Sequence, residues 1–118
     1  QPLYCTAVGK SILASLSDQE IRAIWNRSEK HKLTPNTITD WEAFKKEIEK
    51  IRKSGYAVDD EENELGVKCV AVALKDFSGQ VCHAISVSAP VSRMDDKAIK
   101  QIAKLLIKTR QDFYGNSN

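Results

Sequence analysis

No stretch of this chain is apolar for long enough to cross a bilayer, and no signal-peptide pattern opens it. Neither a membrane partner nor secretion is expected, and the chain reads as cytoplasmic. A formal charge of only +2 at pH 7 gives no basic field with which to hold nucleic acid or an anionic membrane directly. Cysteines number three and follow no regular spacing, which reads as reduced thiols rather than a disulfide framework. There is no internal repeat and no low-complexity segment beyond the tail at Gly115–Asn118, which should fray.

Several chemistries lack a required residue. Gly9–Lys10–Ser11 resembles the end of a phosphate-binding loop, but that motif needs glycine where Tyr4 stands. Counted from Asp59 as a calcium loop, the sixth position is Glu64 rather than glycine and the twelfth is Val70 rather than glutamate. The acidic run is then expected to be a solvated loop. Cys5, Cys69, Cys82, His31 and His83 share no zinc spacing, leaving at most an adventitious site around Asp59 and Cys69. No metal, cofactor or catalytic residue is assigned.

What is present suits one globular domain of 118 residues, with 42% hydrophobic and 29% charged residues. Its centre is the stretch from Gly55 to Ser88. Tyr56–Ala57–Val58 is a short strand running into five acids between Asp59 and Glu64. From Gly66 a valine- and alanine-rich run forms a strand, Asp76–Gly79 a turn, and Gln80–Ser88 a second strand. A symmetric turn places Cys69 opposite Ser86 and Val67 opposite Ser88. Alternation then puts Val67, Cys69, Ala71 and Ala73 on one face with Cys82, Ala84, Ser86 and Ser88. The other face carries Val70, Val72, Leu74, Val81, His83, Ile85 and Val87, an ordinary core. The first face is small and dotted with hydroxyls and thiols. It suits either close packing of a helix or a small guest oriented by its polar atoms. Cys69 and His83 fall on opposite faces, which argues against a thiol enzyme. Asp59 ends its strand on the same side as Ala57, so it is expected to point inward and to need a partner: a ligand hydroxyl, Ser86 or a backbone amide.

Leu3 and Tyr4 read as a strand end. Thr6 caps a helix from Ala7 to about Leu16, in which Gly9 costs roughly 1 kcal/mol relative to alanine unless a neighbour approaches closely. Ser17–Glu20 is a capping box for a helix through Trp25, and Lys30–Ile38 is a loop with turn residues at 34–37. Thr39–Glu42 reads as another capping box, and Trp41, Phe44, Ile48 and Ile51 form the buried stripe of its helix, which Ser54–Gly55 stops. Ala89–Pro90 ends the sheet. A last helix starts between Ser92 and Asp96, buries Ile99, Ile102, Leu105, Leu106 and Phe113, and turns Lys97, Lys100, Lys104 and Lys108 to solvent. The result is an α+β domain, helices against an antiparallel sheet, and the sheet is expected to lack strands that precede residue 1.

The blocks Tyr4–Ala14, Leu33–Thr39, Gly55–Cys69 and Ala84–Pro90, in order along nearly the whole chain, resemble the effector-binding domain of IclR-type transcriptional regulators. The resemblance implies a GAF-like (profilin-like) fold whose curved sheet holds a small metabolite on one face, and an N-terminal winged helix-turn-helix domain absent from this chain. It implies ligand contacts at Thr6, Ala7, Asp59, Val67, Cys69, Ser86 and Ser88, and a carboxylate effector such as a 2-keto, sugar or aromatic acid. It implies DNA contact only through that N-terminal domain, and assembly into a homodimer or homotetramer. The alternative is an oligomerisation domain with no small-molecule ligand.

Overall fold

The computed structural model describes residues 3–76 and 78–116, with side chains except at 82, 115 and 116. Pro2, Phe77 of the expected turn, the Cys82 side chain and the end of the tail therefore lie outside the described residues. Three antiparallel strands in sequence order form the sheet: β1 (Ala57–Asp60), β2 (Val67–Lys75) and β3 (Val81–Pro90). On one face lie α1 (Ala7–Ala14), α2 (Asp18–Arg27) and α3 (Trp41–Ser54). On the other lies α4 (Asp96–Asn116), after a short 3-10 turn at Val91–Arg93. The α+β reading holds.

Each helix starts where a short polar side chain can accept a first-turn N–H. Thr6 accepts from Gly9 in α1, and Ser17 and Glu20 exchange both bonds of a capping box in α2. In α3 the cap is Asp40, whose carboxylate accepts from Ala43, one residue later than the box expected from Thr39. A carboxylate already next to the helix start outcompetes the hydroxyl before it. Gly55 ends α3 with φ 88°, a left-handed conformation that glycine adopts at little cost. Residues 3–6 are bends rather than a strand end, because Tyr4 turns inward and its hydroxyl donates to the His31 carbonyl at 2.8 Å.

Two cores result. Tyr4, Cys5, Leu13, Ile21, Trp25, Phe44 and Ile48 pack with Ala57 and Ala71 under the first three helices. Here Trp25 stacks on Phe44 with centroids 4.6 Å apart and meets Tyr4 edge-on at 6.2 Å. Beneath α4, Val70 and Val72 pack on Met94, Ile99, Ala103 and Leu106. Leu105 and Phe113, expected to be buried, are 64% and 47% exposed. The small Ala103 takes the inner position that lets α4 lie close, and turns Leu105 outward. Lys97, Lys100, Lys104 and Lys108 face solvent, as their spacing suggests.

The hairpin register differs from the symmetric one. Cys69 pairs with Ser88, Ala71 with Ser86 and Val67 with Pro90; one residue of the difference is an unpaired β3 residue between the pairs Leu74–His83 and Lys75–Val81, and the other lies in the turn, where the Asp76 N–H donates to the Gln80 carbonyl. The strand also runs on through Ala89 and Pro90. From His83 to Ser88 a slip of two residues keeps each side chain on its face, so the division into a small polar face and a bulky one stands there, whereas Val81, beyond the bulge, pairs with Lys75 and so lies on the opposite face to the one expected. His83 pairs with Leu74, across the sheet from Cys69.

Candidate functional site

Pairing on both sides of β2 builds a row across the sheet. Asp59 of β1 lies opposite Cys69 of β2, which lies opposite Ser88 of β3. The next row is Ala57, Ala71 and Ser86. All six side chains share the face on which α1 packs. Exposure rises along the first row, from Asp59 at 6%, through a half-buried Cys69, to an exposed Ser88. Ser86 is exposed and Val67 half-buried beside Pro90. The sheet therefore runs from a buried carboxylate to an open hydroxyl-bearing surface.

Asp59 points inward as expected, and the partners it finds are backbone amides. Its Oδ1 accepts from Glu62 at 2.8 Å and from Asn63 at 3.4 Å. Burial pushes its carboxyl above the usual range, against the pull of those amides and of Lys10. Cys5, just before the α1 cap, is buried and its thiol donates to the Asn63 side chain at 3.6 Å. Burial, with Asp59 and Glu62 nearby, raises that thiol to about 11. The start of α1 is thereby brought against the loop that follows β1. Thr6 and Ala7, buried at 8% and 1% exposure, are the two residues that follow this contact in the chain.

The acidic run is not the solvated loop its composition suggests. Glu62 is as buried as Asp59, and the loop is tied down along its length. The Thr34 hydroxyl donates to the Glu61 carbonyl and the Thr37 hydroxyl to that of Glu62, while Asn36 Nδ2 donates to the Asp60 carbonyl at 2.9 Å. Lys10 is fully buried, and its Nζ donates to both oxygens of Glu62 at 2.9 Å and to the Val58 carbonyl at 2.6 Å. Burial still pushes the Glu62 carboxyl up, against the pull of that ammonium. Two turns far apart in sequence, 34–37 and 59–63, are thus one structure. The spacing missed this, although one signal was present: Lys10 is the sole charge between Leu3 and Leu16.

Two of the surface grooves skirt the row. One of about 370 Å³ runs between α3 and α4 past Glu47, Lys50, Lys68 and Lys100 and reaches Asp60 and Glu62 of the acidic loop, and another of about 50 Å³ sits between Trp41, Asp18 and Arg52. Neither is lined by a residue of the Thr6–Ser88 set. Among the described residues no group of three or more His, Cys, Asp or Glu side chains could hold a metal ion, and no helix is long and apolar enough to cross a membrane.

Comparison with known proteins fits this architecture. The family described as bacterial transcriptional regulator IclR C-terminal matches residues 1–113. The DNA-binding transcriptional repressor YiaJ of Escherichia coli K12 is 42% identical over 113 residues, covering 93% of this chain and 40% of its own. The crystal structure of the Thermotoga maritima IclR superposes with a TM-score of 0.88 at 40% identity, over 92% of this chain and 44% of that one. A double mutant of the PobR inducer-binding domain from Acinetobacter, in complex with 3-hydroxybenzoic acid, gives a TM-score of 0.88 at 29% identity, over 96% and 65%. The chain spans about 40% of the length of the curated relatives it matches. On sequence and fold alike, it belongs to the IclR family of bacterial transcriptional regulators and corresponds to their C-terminal domain.

Proposed function

We propose that this domain senses a small carboxylate metabolite (a 2-keto, sugar or aromatic acid) for a transcriptional regulator whose DNA contacts are made by an N-terminal winged helix-turn-helix domain outside this chain. The observation that carries the reading is the row Asp59, Cys69 and Ser88, which leads from a buried acceptor to an open polar surface beside the start of α1. An acid seated there has its hydroxyl toward the acceptor Asp59, or its keto oxygen toward the Cys69 thiol, and serine hydroxyls at 86 and 88 for its other oxygens. The start of α1, where the Thr6 cap leads into the first-turn amide of Ala7, favours its negative charge. The complex of the PobR domain with 3-hydroxybenzoic acid supports a carboxylate as guest.

Binding acts by population shift. An acid with higher affinity for one arrangement of paired sensor domains favours that arrangement, and the DNA-binding heads follow. Such a regulator works as a homodimer or homotetramer in the cytoplasm.

The test is a melting-temperature screen against 2-keto, sugar and aromatic acids. An acid at a hundred times its Kd stabilises by about 2.7 kcal/mol, well within reach of such a screen. The shift is expected to shrink in Ser88→Ala, an exposed position whose loss leaves the fold intact, and in Asp59→Asn. No shift with any acid, or one undiminished in both variants, overturns the reading.

A further inference from the structure

A lysine with no exposed surface is rare, because its ammonium loses its water and must find every partner inside. Lys10 finds them in three other parts of the fold. Glu62 belongs to the loop after β1, Val58 to β1 itself, and Glu47, at 3.3 Å, to α3. A buried ion pair gives little net stability over apolar side chains of the same volume, so stability alone is a weak reason to keep one here. What the ammonium does fix is geometry. It reaches from the first turns of α1, the helix that begins with Thr6 and Ala7, to the loop whose amides hold Asp59.

We infer that Lys10 is the positioning residue of the candidate site, setting the start of α1 against the Asp59 loop. The inference rests on the ligand reading above for its purpose, though the geometry stands without it. The clamps from Thr34, Asn36 and Thr37 fasten the loop to the 34–37 turn but not to α1. Between α1's approach and the loop, the thiol contact of Cys5 with Asn63 is long and weak. An eight-residue helix has little stability of its own, so its place depends on such ties.

The test separates position from stability with two variants. Lys10→Met strands the Glu62 charge and is expected to lower the melting temperature sharply. Adding Glu62→Gln removes the stranded charge while its amide oxygen still accepts from the Asp60 N–H, and most of the lost melting temperature returns. In this double variant, alkylation of Cys5 by iodoacetamide, followed by peptide mass analysis, is expected to run at least about tenfold faster than in the parent. Affinity for pyruvate, gluconate or 3-hydroxybenzoate, whichever stabilises the parent, is expected to fall at least about tenfold, or about 1.4 kcal/mol. A double variant that recovers its melting temperature with Cys5 still protected, or with an undiminished acid response, overturns the inference. If none of the three acids stabilises the parent chain, the ligand reading loses its support and Cys5 protection alone decides the role of Lys10.

Discussion

Asp59 and Glu62 both bind their protons more tightly in the folded chain than in an unfolded one, because burial disfavours the ionised form of each. The sign of the consequence follows from linkage. Between the ordinary carboxylate range, near about pH 4, and the raised values, the folded state holds more protons, so stability falls as pH rises through that window. Asp18 and Asp76 work the other way: the Arg52 guanidinium lowers the first and the Ser78 hydroxyl the second, and what they contribute is lost as pH falls below the same range. Melting temperature is therefore expected to be higher near about pH 5 than near about pH 7, and the slope to flatten in Asp59→Asn. A stability that climbs from about pH 5 to about pH 7 contradicts this. Single residues were legible where burial follows from parity, as for Asp59. They were not where burial depends on a remote partner: nothing near Glu62 in sequence announces Lys10, and nothing near Thr34 and Thr37 announces the carbonyls of the acidic loop.

At the level of the elements, local chemistry and close packing set most boundaries. Gly55 and the Ser17 capping box stand where the pattern puts them. The hairpin pairing slipped by two because a one-residue bulge on β3 and a turn one residue longer are both invisible to a symmetric turn, and only the faces from His83 onward survived. Gly9 shows packing overriding propensity. A Cβ there would lie 2.5 Å from the Leu3 carbonyl oxygen and 2.6 Å from its Cα, so the backbone of residues 3–6 lies against the helix. Gly9→Ala gains about 1 kcal/mol of helix propensity, but the added methyl must push backbone aside. The net outcome expected is a loss of about 1–3 kcal/mol in chemical denaturation. A gain in stability would show that the approach of Leu3 is loose and that α1 is not held at its start.

Across the whole molecule, a sheet with a helical layer on each face carries the polar row within a face of small side chains, beside the rows Ala57–Ala71–Ser86 and Ala73–Ala84. α1 closes the β1 side of that face over Ala57 and Ala71, while the β3 side stays open at Ser86 and Ser88. The architecture was readable from the order of periodic segments. The union of the 34–37 turn, the acidic loop and the start of α1 into one body was not, since it needs contacts 24 to 58 residues apart. The role proposed for this union and for the row from Asp59 to Ser88 is to receive a small acid. Amide chemical-shift mapping of the labelled chain with pyruvate, gluconate and 3-hydroxybenzoate tests it most directly. At least one acid is expected to move the signals of Thr6, Ala7, Asp59, Cys69 and Ser88 together. Shifts confined to the groove between α3 and α4, around Lys50 and Lys100, or none with any acid, would contradict it.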